Sequence, residues 1–232
     1  SCLKNLIIMN RNIFVACDVS SQKEILELLS KIHEEISGIK IGLQYITQHS
    51  PEEIKEINKF NKPIFYDGKF LDIKNTLVES VKSLKNLNIE YATVHLMNGL
   101  DALKAANLAA EDINVKLLGV SVLTSFGNED LEQLGFKYKI EEQVLRLIKI
   151  ADMANLYGVI CSPLEIKMIK KIAPNLKCFT PGIRQDDNKN DQKRTMSAKQ
   201  AIEAGSDCLI IGRPITKGDP KKNIQEILSS LN

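Results

Sequence analysis

Asp67, Lys69 and Asp72 set an acid, a base and a second acid within six residues, at the end of the apolar run that opens with Pro63. On a strand, whose side chains alternate between faces, Asp67 and Lys69 leave the same side. Asp72 falls just past any plausible strand end. Left in solvent, such a set is an ion pair worth about 0–1 kcal/mol. Held away from water, it can move a proton or oppose a developing charge. Two carboxylates could also hold a divalent cation, but a lysine between them competes for the same charge, which favours a site without metal.

Other polar residues stand at comparable places. Apolar runs end in or carry Asp18, Lys40 and His95, and a fifth run leads to Thr124 and Ser125. Two late runs pass into "TPGIR" at 180–184 and "IGRP" at 211–214. There Pro181-Gly182 and Gly212 either make simple turns or let the backbone approach an anion closely, and the neighbouring Arg184 and Arg213 favour the anion. A phosphate is the expected ligand of that corner. His95 alone points to no chemistry, and His33 and His49 lack metal-ligand spacing.

The elements that must hold these residues are legible as eight apolar runs of strand length: 13–17, 39–43, 63–67, 91–96, 116–123, 158–161, 176–180 and 208–212. Between them lie helix-like segments, several opened by start signals at Ser21-x-x-Glu24, Ser50-Pro51-x-Glu53, Ser162-Pro163-x-Glu165, Ser197-x-x-Gln200 and Asp219-Pro220. Runs that are apolar throughout predict strands buried on both faces, and repeated strand–helix units predict parallel pairing. The expected fold is a single-domain (β/α)8 TIM barrel over residues 1–232. An open doubly wound sheet is the runner-up, but no G-x-G-x-x-G follows the first strand. In a barrel the strand ends named above gather at one mouth. The polar stretch 183–196 interrupts the pattern and reads as either a surface excursion or a functional lid.

Composition narrows the partners. The 232 residues include 31 basic and 29 acidic side chains, a net charge of +2, so no broad footprint for nucleic acid or an anionic membrane is present. Five cysteines without a C-x-x-C pair read as reduced, mostly buried thiols of a cytoplasmic protein. The opening "SCLKNLIIMN" has only a four-residue apolar run, too short for a signal-peptide core or a membrane span.

Taken in order, "VACD" at 15–18, "KIG" at 40–42, "DGKFLDIKNT" at 67–76, "VHLMNG" at 94–99, "VSVLTS" at 120–125, "TPGIR" at 180–184, "DQKRTM" at 191–196 and "IGRPIT" at 211–216 resemble the orotidine 5′-monophosphate decarboxylases. Lys74 stands where that family's motif usually has proline, and Gly68 where leucine is common.

The resemblance implies decarboxylation of a pyrimidine nucleotide, orotidine 5′-monophosphate, without cofactor or metal, in a homodimer with shared sites. It implies that Lys69 is the proton donor within a charged row of Lys40, Asp67 and Asp72. Asp18 and Lys40 match positions that hold the ribose hydroxyls. Asp72 and Thr76 match a pair inserted from the partner subunit. Thr124 and Ser125 match the element that reads the pyrimidine edge, while Pro181, Gly182, Arg184, Gln192, Gly212 and Arg213 match the phosphate grip, with 183–196 as a lid. Two rivals remain: a related barrel acting on sugar phosphates through a metal-stabilised enediolate, and a phosphate-binding barrel without catalysis.

Overall fold

Eight short strands form in the computed structural model, which describes residues 12–184 and 196–231. They are β1 (Ile13–Ala16), β2 (Gly38–Gly42), β3 (Ile64–Phe70), β4 (Tyr91–His95), β5 (Lys116–Val120), β6 (Gly158–Ile160), β7 (Lys177–Thr180) and β8 (Cys208–Ile211). Each pairs in parallel with the next, and β8 pairs with β1 to close the barrel. This is the (β/α)8 fold expected from the eight apolar runs. Most bounds move by a single residue, and two move by three: β5 ends at Val120, and β3 runs on to Phe70 through a register shift between Tyr66 and Phe70.

The helical start signals work as their chemistry requires. Ser21 accepts a hydrogen bond from the Glu24 N–H at the head of Gln22–Ile32, and Asp219 accepts from Lys222 at the head of Pro220–Ser230. Ser50 with Glu53 and Ser197 with Gln200 form reciprocal capping boxes. A third box, Ser162 with Glu165, opens a 3-10 turn that leads into the helix Ile166–Ile172. Asn61, Asn88, Asn114 and Asn155 take left-handed backbone shortly before β3, β4, β5 and β6, a conformation that asparagine adopts more readily than most residues.

Burial divides the apolar residues into two layers. The larger layer packs outward-facing strand residues such as Ile13, Val15, Ile39 and Ile41 against the helices. The smaller one fills the barrel itself with Phe14, Ala16, Phe65, Leu118, Phe179 and Ile210. Phe14, Phe65, Tyr91 and Phe179 meet with ring centroids 5.2–6.5 Å apart, edge-on or tilted. Gly38 makes room for this layer, since a Cβ there would sit 2.3 Å from the Phe14 ring. Cys17, Cys161, Cys178 and Cys208 are free and buried. No helix among the described residues is long and apolar enough to cross a membrane.

Candidate active site

The period-2 alternation that puts aromatic rings in the barrel also puts charge at its mouth. On β1 the inward row Phe14, Ala16 continues to Asp18; on β3 Phe65 is followed by Asp67; on β8 Cys208 and Ile210 are followed by Gly212. The register of β2 with β3, Lys40 opposite Phe65 and Gly42 opposite Asp67, sets Lys40 diagonally across from Asp67. Above the rings lies a cavity of about 590 Å3, within the range of small-molecule sites.

Asp67 is its centre. Its Oδ2 accepts from Lys69 Nζ at 2.7 Å and from Lys40 Nζ at 3.1 Å, and its Oδ1 accepts from the Thr93 hydroxyl at 2.8 Å. Burial opposes a charged carboxylate here, yet Lys40, Lys69 and the hydrogen bonds outweigh it and hold Asp67 below the usual aspartate range. Lys40 has the mirror-image balance: burial pushes its ammonium down, and Asp67 and Asp18 together lift it above the ordinary lysine value. His95, half-buried at the end of β4, is held low by burial and by the charge of Lys69. The expected same-face pairing of Asp67 and Lys69 is present, reached by a route that strict alternation does not give. Lys69 is left-handed, φ 47°, inside the register shift of β3.

Asp18, Lys40, Asp67 and Lys69 line the cavity, together with Thr124 and Ser125. Pro181, Gly182, Arg184, Gly212 and Arg213 line it as well. A Cβ on Gly42 would lie 3.3 Å from Asp18 Oδ1, and one on Gly212 3.9 Å from Asp18 Oδ2, so two glycines flank that carboxylate. Gly182 has φ 77°, where a side chain would be strained. Ile183 and Met196 form an isolated bridge, with Arg184 N–H donating to the Met196 carbonyl and Met196 N–H to that of Gly182. The ends of the 183–196 segment are thus tied together at the cavity. Residues 185–195, with Gln192, lie outside the described residues.

Asp72 and Thr76 do not join the others. Both are exposed and neither lines the cavity. The Asp72 carboxylate accepts from the Ile73 N–H at 2.7 Å, and its own N–H donates to Asn98 Oδ1. Lys74 occupies the first position of the helix Lys74–Lys82, a place proline commonly takes, and its ammonium reaches Asp101 at 2.8 Å. Sequence reasoning missed Gln44, which lines the cavity, and Thr93, which lies on the inward row between Tyr91 and His95 and could have been found by that spacing.

A larger groove of about 940 Å3 lies among the loops that enter β3, β4 and β5, lined by Lys62, Lys85 and Asn88 among others. It contains none of the acid–base cluster, so chemistry, not size, selects the site.

The family model described as "Orotidine 5'-phosphate decarboxylase / HUMPS family" matches residues 11–227. Orotidine 5'-phosphate decarboxylase of Wolbachia pipientis subsp. Culex pipiens is 38% identical over 221 residues, which cover 94% of this chain and 98% of that protein. The protein of the same name from Wolbachia sp. subsp. Brugia malayi is 39% identical, covering 95% and 99%. The crystal structure of orotidine 5'-phosphate decarboxylase from Lactobacillus acidophilus superposes with a TM-score of 0.83 at 32% identity, covering 96% of this chain and 99% of that one.

Proposed function

The chain belongs to the orotidine 5′-phosphate decarboxylase / HUMPS family, and from that premise we propose that it is a carboxy-lyase converting orotidine 5′-monophosphate to uridine 5′-monophosphate and CO2 in pyrimidine synthesis. The observation that carries this reading is the convergence of Lys40 and Lys69 on one oxygen of the buried Asp67, in a cavity also lined by Gly182, Arg184, Gly212 and Arg213. Identity of 38% and 39% to two proteins that bear the decarboxylase name, over nearly the full length of each, supports it.

The chemistry follows from the charges. Loss of CO2 from C6 of the pyrimidine leaves an electron pair on carbon with little resonance relief. Lys69, one-third exposed toward the cavity, is the cation that can oppose this charge and then protonate the carbon. Asp67 holds the ammonium at 2.7 Å and turns a fixed negative charge toward the substrate carboxylate, which favours its departure. Asp18 and Lys40 bind the ribose hydroxyls, Thr124 and Ser125 the pyrimidine edge. Arg184 and Arg213, with the backbone at Pro181-Gly182 and Gly212, grip the phosphate, while Gln192, which matches the same grip in the family, lies outside the described residues. Energy from binding the unreacting phosphate can then be used to exclude water and hold the charged row in place.

In the same reading Asp72 and Thr76 serve a neighbouring subunit of a homodimer. Their exposure supports this, as do Leu71 and Ile73 on either side of Asp72, which stand 53% and 73% exposed. The rival reading is a related barrel acting on sugar phosphates. A metal-stabilised enediolate is disfavoured by the donors of Asp67, whose Oδ2 is taken by two ammonium groups and whose Oδ1 is taken by Thr93. The test is the fall in orotidylate absorbance on adding the protein, repeated after exhaustive chelation. No loss of absorbance sinks the reading, and loss abolished by chelation and restored by a divalent cation replaces it with a metal-dependent one.

A further inference from the structure

Between Tyr66 and Phe70 the β3 strand spends three residues against one on β4, because Tyr66 pairs with Ala92 and Phe70 pairs with Val94. Asp67, Gly68 and Lys69 therefore face a single β4 residue, Thr93. A bulge of this size takes N–H groups off the ladder, and a buried N–H without a partner is costly. The Lys69 N–H is recovered by the Thr93 hydroxyl oxygen at 2.9 Å, while the hydroxyl proton goes to Asp67 Oδ1 at 2.8 Å. One hydroxyl thus uses both its donor and its acceptor capacity on the two residues that face the reaction. Thr93 itself is fully buried.

We propose that Thr93 is a positioning residue for the decarboxylation: it fixes the rotation of the Asp67 carboxylate and the left-handed backbone of Lys69, so that Lys40 and Lys69 meet on the same oxygen. This rests on the proposed function.

Several observations converge on it. Lys69 is non-glycine at φ 47°, a conformation that persists only where its surroundings impose it. The Thr93 bond to the Lys69 N–H is such a restraint. Without the donor at Oδ1 the carboxylate can rotate and split its two oxygens between the lysines. The ammonium of Lys69 then shifts relative to the carbon it must protonate. A purely structural threonine would require only that its shape be kept. Valine keeps that shape and removes the hydroxyl.

The experiment compares wild type with Thr93→Val, Thr93→Ser and Thr93→Ala, reading kcat and KM for orotidine 5′-monophosphate and Tm for each. Displacement of reacting groups by about 1 Å costs on the order of 10²-fold in rate. We expect Thr93→Val to lose about that much in kcat, with KM changed less than about threefold, as for an interaction felt mainly in the transition state. Thr93→Ser restores most of kcat although it lacks the methyl group. Should the valine variant not fold, serine against alanine makes the same comparison, since these differ by the hydroxyl alone. An active wild type beside a valine variant of unchanged kcat, or serine and alanine variants that lose activity equally, overturns the positioning role and leaves the function standing. A wild type without decarboxylase activity sinks both.

Discussion

Lys40 and Asp67 stand on adjacent strands, diagonal in register, with their charged ends 3.1 Å apart and their side chains 12% and 9% exposed. Neither charge could be left alone there. Each depends on the other, and Lys69 at the same oxygen makes the carboxylate the common anchor of two cations.

The pH dependence of stability follows from that arrangement. Asp67 is held below its usual range in the fold, so its contribution is complete above the unfolded carboxylate value and is lost progressively as pH falls below about 4. Lys40 is lifted in the fold, so its contribution is complete below the unfolded lysine value and is lost as pH rises beyond about 10.4. Urea unfolding against pH should show both limbs, and Asp67→Asn should flatten the acid limb. An unchanged acid limb in that variant would show that other carboxylates set it.

In the proposed reaction Lys69 carries a chemical burden that is separable from the conformational one its left-handed backbone imposes. Both Lys69→Ala and Lys69→Gly should lose nearly all turnover while still binding the nucleotide product. Glycine accepts the left-handed backbone without strain, so Lys69→Gly should be more stable than Lys69→Ala by about 1 kcal/mol. For a chain of this size that corresponds to about 2–4 °C in Tm. Equal melting temperatures would mean that the backbone relaxes when the lysine is removed.

The proposed function gives Arg213, which lines the cavity, a part in phosphate recognition. Arg213→Ala should lower kcat/KM for the nucleotide far more than for the same nucleoside without phosphate. Equal losses on both substrates would remove Arg213 from the phosphate grip.

Asp72 lies outside the cavity that holds Lys69. If it works in the partner's site, mixing inactive Lys69→Ala with inactive Asp72→Asn under conditions of verified subunit exchange should restore activity. One of the two sites in each mixed dimer then unites an intact lysine with an intact aspartate. Exchange shown by co-purification of a tagged variant, with no activity regained, would place both residues in one chain's site or remove Asp72 from the chemistry.

The eight strands and the capped helices were legible in the sequence because both rest on local patterns: unbroken apolar runs and side chains that bond to nearby N–H groups. The gathering of Asp18, Lys40, Asp67 and Lys69 was legible as soon as parallel closure was assumed, since every strand end then faces one mouth. The role of Thr93 was not, although spacing puts it on the inward row, because a threonine in "YATVHL" also fits as an ordinary β-branched strand residue. Nor was the left-handed Lys69: a register shift depends on the pairing of two strands distant in sequence, and neither strand carries the signal alone. The separation of Asp72 from the cavity likewise depends on how the chain turns after Phe70, beyond the reach of spacing.

The aromatic layer under the site has a consequence for traffic. Phe65 lines the upper cavity, while Phe14, Tyr91 and Phe179 line a separate hollow of about 280 Å3 on the opposite side of the layer. Among the described residues the rings therefore floor the site, so the nucleotide meets Asp67 and Lys69 from the mouth and not through the layer.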